Sequence, residues 1–320
     1  KGEHRLALSG TPIENTTMEL WSLFDFLMPG FLGTPDWFRT EWAVRVEKYK
    51  DEQKTEILKS MIYPFILRRK KEEVEKDLPA KIEMVEMLTM EEEQLKLYVN
   101  TAQYYSERVL KAIDEKGVEG SAFVILEAML RLRQVCLFPH LVDPEFKNIP
   151  SIKFGRLIEM LEDILSEGHK VLIFSQFVKV LEIIRRHFDN EKMDYCYIDG
   201  SLDAKTRGKE VKQFQEDERK RVFLLSLKAG GVAINLTAAD YVIIFDPWWN
   251  PAVEAQATDR AHRLGQKRVV TSYRLIARGT VEEKMLSLQS RKREVIDALL
   301  GGEGQSGGDL NWEEIQELLA

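Results

Sequence analysis

The stretch Gln256-Ala-Thr-Asp-Arg-Ala-His-Arg-Leu-Gly-Gln266 places a carboxamide and two guanidiniums, Arg260 and Arg263, at helical spacing. With no Gly or Pro before Gly265, it predicts a helix carrying Gln256, Arg260 and Arg263 on one face. Neighbouring guanidiniums repel unless an anion or carboxylates lie between them, and their forked donors match phosphate oxygens. Two readings fit this spacing. One is a polyphosphate presented by a second surface; the other is a surface ion-pair network through Asp259 and Glu254.

Three further groups are suited to oxyanions. In Ser226-Leu-Lys-Ala-Gly-Gly231 the paired Gly230 and Gly231 follow an apolar run directly, so the backbone can approach a ligand closely, and Lys228 adds a point charge. Ser175-Gln176, Gly200-Ser201 and nearby Arg207 recur after successive apolar runs, and such groups hold phosphodiester oxygens without reading bases. Phe245-Asp-Pro-Trp-Trp-Asn-Pro251 sets two indoles between prolines. At least one ring packs into a core on the simpler reading; an exposed indole at this edge would also contact nucleic acid.

These residues need a frame, and the hydrophobic pattern supplies one. Lys170–Phe174, Tyr195–Ile198, Val222–Leu225, Tyr241–Phe245 and Val269–Ile276 read as short buried strands, with helical patterns at Val178–Phe188, Lys205–Gln215 and Val253–Leu264. Alternation of this kind predicts an α/β fold, a parallel sheet with helices on both faces and a ligand site beyond the strands' carboxyl ends. Residues 31–150 read as helices and loops, with long helices at Glu92–Ala112 and Phe123–Val135 parted by Gly117–Ser121. Residues 1–30 read as a strand from Arg5, then a helix through Leu20, Leu23, Phe24 and Leu27 that Pro29-Gly30 ends. Beyond Val281 come a charged helix to about residue 300, a Gly-rich tether and an amphipathic terminal helix around Trp312.

Among the 320 residues, 53 acidic and 46 basic side chains give a net charge of −7, so attraction to a polyanion must come from local basic patches. Val253–Arg293 supplies one, with ten Lys/Arg against four Asp/Glu, and Arg68–Lys71 supplies another. No apolar run reaches the roughly 20 residues of a membrane span, and the two cysteines fit a reducing, intracellular setting with buried thiols. The sequence holds no Gly-x-x-x-x-Gly-Lys-Ser/Thr phosphate loop and no zinc-ligand spacing.

Taken in order, the motifs resemble those of the SWI/SNF-type (SWI2/SNF2) ATPases, helicase-like DNA translocases of helicase superfamily two. Leu6–Asn15 resembles motif III, Lys170–Phe177 motif IV, Leu225–Pro251 motif V with its Trp-Trp-Asn-Pro ending, and Gln256–Gln266 motif VI. Arg131-Leu-Arg-Gln-Val-Cys-Leu-Phe-Pro-His-Leu141 is similar to the family's helical insert, where Asn-His is commoner than Leu137-Phe138. Ala233 stands where the family usually has Gly.

The resemblance implies RecA-like lobes: the end of a first lobe at 1–30, a helical insertion and linker at 31–150, a second lobe at 151–280, a brace helix at 281–300 and a tethered helix at 301–320. It implies that Arg260 and Arg263 reach ATP held with Mg²⁺ by an upstream lobe, where the phosphate loop and Asp-Glu box would lie. Gly230, Gly231, Asn235 and Gln256 would line the nucleotide cleft. Ser175, Gln176, Gly200, Ser201, Arg207, Lys228 and Trp249 would face double-stranded DNA, with a protein–DNA complex as a further partner. The parent would hydrolyse ATP, and this stretch alone would not. A non-catalytic binding module, or an ATPase acting on RNA or RNA polymerase complexes, are the alternatives.

Overall fold

A six-stranded sheet holds Ser175 and leads directly into Gln176 in the computed structural model, which describes residues 4–8, 16–67, 78–227, 234–287, 289 and 290. The chain divides into two compact units. One holds the described residues of Lys1–Val74, Trp249–Ala255 and Ser287–Leu310; the other holds those of Glu75–Trp248 and Gln256–Leu286.

In the first unit the helix Thr17–Leu27 forms where the apolar spacing predicts it, and Leu20 and Phe24 bury against Phe38, Trp42, Val46, Leu58 and Ile62. Gly30, at φ +82°, follows the helix in a conformation that favours glycine. The Thr17 amide and hydroxyl both donate to Glu47, at 2.6 and 2.8 Å. The expected strand at residues 5–8 does not form: Leu6 and Leu8 are 79% and 90% exposed and the segment has no ladder partner among the described residues. Apolar character alone does not make a strand, because its amides need a neighbour. Residues 9–15 of the motif III likeness lie outside the described residues.

In the second unit β1 (Lys81–Leu88), β2 (Val171–Ser175), β3 (Tyr195–Ile198), β4 (Val222–Ser226), β5 (Tyr241–Ile244) and β6 (Val270–Ala277) pair in the order β1-β6-β5-β2-β4-β3. Every pairing is parallel. All residues of β2 and β4 are buried, as their unbroken apolar runs require when both faces are covered. Val171, Ile173, Val222 and Leu224 pack with the helices Ile152–Ser166 and Val178–Asn190 through Leu157, Leu161, Leu181 and Phe188. The alternate residue Phe223 meets Phe214 of the helix Ala204–Glu216, ring centres 5.0 Å apart. This is the RecA-like α/β architecture.

The strand β1 lies in a stretch whose composition predicts helices and loops. Four of its eight residues are exposed and only Leu88 is buried, so little core burial holds it in place. Main-chain pairing with β6, from Lys81 opposite Val270 to Leu88 opposite Ala277, stabilises it instead. Charge pairs help: Glu83 with Arg274 at 2.7 Å and Glu86 with Arg156 at 3.1 Å. The long helices run Glu92–Gly120, broken at Gly117, and Ala122–Leu137; they pack through Tyr105, Val109, Ile125 and Ala128.

Lys153 joins several elements. Its wholly buried ammonium donates to the carbonyls of Phe245 (3.0 Å) and Leu275 (2.7 Å) and pairs with Glu282 at 2.7 Å. Glu282 in turn accepts from the Ala277 amide. Residues 281–287 are helical; the tether and the Trp312 helix lie outside the described residues.

Candidate functional site

From β2 the chain crosses to the edge strand β3 and returns to β4 beside β2, then passes to β5 on the other side of β2 and outward to β6. The direction of the chain switches at β2, and the carboxyl end of a strand at such a switch is where ligands of open α/β sheets bind. Ser175 and Gln176 stand there beside Asp246, which follows β5. The Ser175 hydroxyl donates to the Asp246 carboxylate, and the Gln176 amide donates to the same group at 3.2 Å. Ser175, expected toward a nucleic-acid backbone, is therefore wholly buried and engaged. Gln176 remains partly exposed, its carboxamide donating to the Pro247 carbonyl at 3.3 Å.

Arg133, on the helix Ala122–Leu137, completes this cluster. Its guanidinium donates to the Gln176 carboxamide oxygen (3.2 Å) and the Pro247 carbonyl (2.5 Å), lies 3.7 Å from Asp246 and stacks over Phe177. Neither Arg133 nor Asp246 stands out from spacing alone. A signal existed for Arg133: it is a cation three residues before Cys136 and four after Met129, on the buried face of an apolar helix. Such a position demands a buried partner.

Gly200 and Ser201 follow β3, separated from β2 by β4 and so about 10 Å away across the sheet. Both are exposed. The Ser201 amide and hydroxyl donate to Asp199 at 2.9 and 2.6 Å, and the Tyr197 hydroxyl adds a third bond at 2.7 Å. Burial opposes ionisation of Asp199, but bonds from Ser201 and Tyr197 prevail and hold its carboxyl below the usual range. Arg207 donates to the Leu202 carbonyl at 2.8 Å, and its buried Nε has no partner among the described residues. Lys228, Gly230 and Gly231 lie outside the described residues. Trp249 is half-buried and belongs with the first unit.

The arginine pair sits elsewhere in the fold, and not as expected. The helix beginning at Pro251 ends at Thr258, and residues 259–265 form turns, so Gln256, Arg260 and Arg263 do not share one continuous helical face. Tertiary bonds unwind it. The Arg260 carbonyl accepts from the Leu236 amide (2.9 Å), and the amides of Arg260 and Ala261 turn back on Ala257 and Thr258. The Gln266 carboxamide donates to the carbonyls of Ala239 (2.7 Å), Ala261 (3.1 Å) and Thr237 (3.2 Å), which fixes the turn against the residues before β5. Asn235 is thereby brought next to Arg260, since its neighbour Leu236 makes the connecting bond. Exposed Asn235 accepts from Gln215 through its own carbonyl at 3.0 Å.

Arg260 is half-buried and Arg263 exposed. Burial, and then the like charge of Arg263, press the Arg260 guanidinium below its usual range against the pull of Asp259. A cation destabilised this way gains from an incoming anion, so the turn suits phosphate oxygens. Gln256 is exposed on the helix. Sequence reasoning missed His262, which is buried and hydrogen-bonds the Pro79 carbonyl at 2.7 Å, tying the turn to the start of β1. Among the described residues no group of three or more His, Cys, Asp or Glu could hold a metal ion, and no helix is long and apolar enough to cross a membrane.

Comparison with known proteins gives two family matches: the SNF2-related domain over residues 1–141 and the helicase conserved C-terminal domain over 153–265. A Mycoplasma pneumoniae protein described as an uncharacterized ATP-dependent helicase is 40% identical over 94% of this chain and 28% of its own length. The chain thus spans about 28% of that relative. The Sulfolobus solfataricus SWI2/SNF2 ATPase core solved with double-stranded DNA is 35% identical, with TM-score 0.61, over 98% of this chain and 66% of that one. The C-terminal domain of the Sulfolobus solfataricus SWI2/SNF2 ATPase, solved alone, is 32% identical, with TM-score 0.58, over 74% and 97%.

Proposed function

Because the chain belongs to the SWI2/SNF2 family of helicase-type ATPases, we propose that it supplies the arginine and DNA-gripping half of an ATP-driven double-stranded DNA translocase. The observation that carries this reading is the arginine turn: half-buried Arg260, its charge disfavoured by burial and by Arg263, beside Asn235 in the segment similar to the helicase C-terminal domain.

The donor set suits a nucleotide's phosphates, since two guanidiniums offer forked N–H groups to oxygens whose negative charge offsets their repulsion. ATP, when bound, supplies the phosphoryl group that passes to water. Arg260 and Arg263 would then stabilise charge on the transferring phosphate, and we assign Gln256, Asn235, Gly230 and Gly231 to the same nucleotide. Mg²⁺ and the nucleotide's remaining contacts fall to a first lobe bearing a phosphate loop, which this sequence does not contain, so the 320-residue chain alone is inactive.

On the DNA side, Gln176, Gly200, Ser201, Arg207, Lys228 and Trp249 face the backbone, and Ser175 acts through Asp246. Gripping phosphates alone gives binding that ignores sequence and weakens with salt. Alternate closure and release around Arg260 and Arg263 would then move the grip along the duplex in small steps. The cellular setting is intracellular, and a protein–DNA complex is the object remodelled.

In the full-length protein, Arg260→Ala is expected to reduce DNA-stimulated ATPase by roughly 10³-fold or more while duplex binding survives. Equal loss of both would count against this role. Duplex DNA, single strands and RNA, compared as activators, test the track; activation by none would favour a non-catalytic binding module.

A further inference from the structure

Basic side chains gather at a second place, the edge of the sheet where β2 and β4 begin, opposite the edge that carries Gln176. A concavity of about 390 Å³ there is lined by Lys170, Arg221, Lys267 and Arg268, with Glu218 its lone carboxylate. Lys170 and Arg221 immediately precede their strands, so the sheet itself fixes their positions. The fourfold cationic lining contrasts with the net charge of −7 for the whole chain.

The partners of these cations matter most. Lys170 donates to the carbonyls of Phe214 (2.6 Å) and Asp217 (3.0 Å). Arg221 donates through Nε to the Glu218 carbonyl (3.1 Å) and through Nη1 to the Leu165 carbonyl (3.0 Å). Carbonyl oxygens occupy donors but cancel no charge, so both side chains are held in place while still cationic. The Asp217 carboxylate is taken by Arg219, at 3.1 and 3.2 Å. Arg268 is the exception: its Nη1 pairs with Asp240 at 3.1 Å and contacts His169.

Donors remain beyond these bonds. Among the described residues the Lys267 ammonium has no partner, and neither Nη2 of Arg221 nor Nε and Nη2 of Arg268 is engaged. Backbone amides do not compete for the role, because those of Lys267 and Arg268 are bound by the Gln266 side chain. A concavity of this volume accommodates a small ligand, and the Arg221 guanidinium, held by two carbonyls beside the open donors of Lys267 and Arg268, suits tetrahedral oxyanions. Arg221, Lys267 and Arg268 are exposed, but cations scattered over a convex surface would lack the shared volume.

We propose that this basin binds a ligand bearing several phosphoryl oxyanions, through Arg221, Lys267 and Arg268, at a site separate from the Arg260 turn. The inference does not depend on the nucleotide reading of that turn. Two sources share the chemistry: a free polyphosphate and the backbone of a nucleic acid.

Binding of sodium tripolyphosphate and of a short DNA duplex to the 320-residue chain, followed by calorimetry and by mass-spectrometric mapping of lysine acetylation, tests it. Tripolyphosphate is expected to bind and to shield Lys267. Lys267→Gln, which removes no internal contact, should weaken binding about tenfold, the scale of one charge-assisted hydrogen bond, and Arg221→Gln should weaken it further. Glu218→Gln should tighten it. Arg260→Ala with Arg263→Ala should leave the shielding of Lys267 unchanged, which separates this basin from the proposed nucleotide site. Duplex competition that depends on Lys267 would identify a nucleic-acid backbone as the source, and its absence would identify a free polyphosphate. Tripolyphosphate affinity indifferent to Lys267→Gln and Arg221→Gln, or shielding of Lys267 lost in the Arg260/Arg263 double variant, would overturn the proposal.

Discussion

Arg133 donates to the carbonyl of Pro247, 114 residues further along the chain, at 2.5 Å, and the same guanidinium holds the side chain of Gln176. One buried cation thus sets the loop after β2 and the Trp-Trp loop after β5 against each other. Arg133→Met leaves the buried Asp246 without its nearest cation, and is expected to lower stability by about 3–5 kcal/mol. Arg133→Lys keeps the charge but not the fork and should fall between. Urea unfolding followed by circular dichroism measures both; two variants equal to wild type would remove Arg133 from this role.

The Lys153–Glu282 pair has no exposed side-chain surface on either partner. Lys153→Met strands a carboxylate in the interior, at a cost of about 3–5 kcal/mol. Replacing Glu282 by Met as well removes that charge and orphans the Ala277 amide, a smaller loss of about 1–3 kcal/mol. The double variant should therefore be more stable than Lys153→Met alone. A double variant less stable than the single would show that the charge was not the problem.

Gln266 holds the arginine turn through three carbonyl acceptors on one amide nitrogen. Gln266→Glu places a carboxylate against those oxygens and should destabilise the fold more than Gln266→Ala does, although Glu is closer in size. Thermal unfolding of the two variants gives the comparison, and the reverse order would mean that volume, not donor character, holds the turn.

Both thiols are free and buried. Burial, and then the charge of Glu210, push the Cys196 thiol up to about 12, and burial raises Cys136 as well. The thiolate is the reactive form, so at pH 8 neither cysteine should react with a disulfide reagent until the protein unfolds. Labelling in increasing urea should follow the unfolding transition; rapid labelling of the native chain would contradict the burial.

Much of the frame was legible because apolar runs bounded by Gly, Pro and charge have one stable use, as strands covered on both faces. Tyr195–Ile198 forms with the bounds its pattern predicts, and Val171–Ser175 and Val222–Ser226 lie within a residue of theirs. The strand Lys81–Leu88 was not legible, since only Leu88 of its eight residues is buried and its stabilising bonds come from β6, far along the chain.

Residue chemistry belongs to the sequence by itself: it supplied the paired arginines, the polar residues after each strand and the two buried thiols. Where that chemistry stands was decided by long-range hydrogen bonds. The Leu236 amide and the Gln266 carboxamide end the helix before Arg260, and Asp246 draws Ser175 out of reach of solvent. Local spacing carries only the helix and strand periods. A buried carbonyl or carboxylate must find a partner wherever the fold supplies one, and that need outweighs propensity at these two sites.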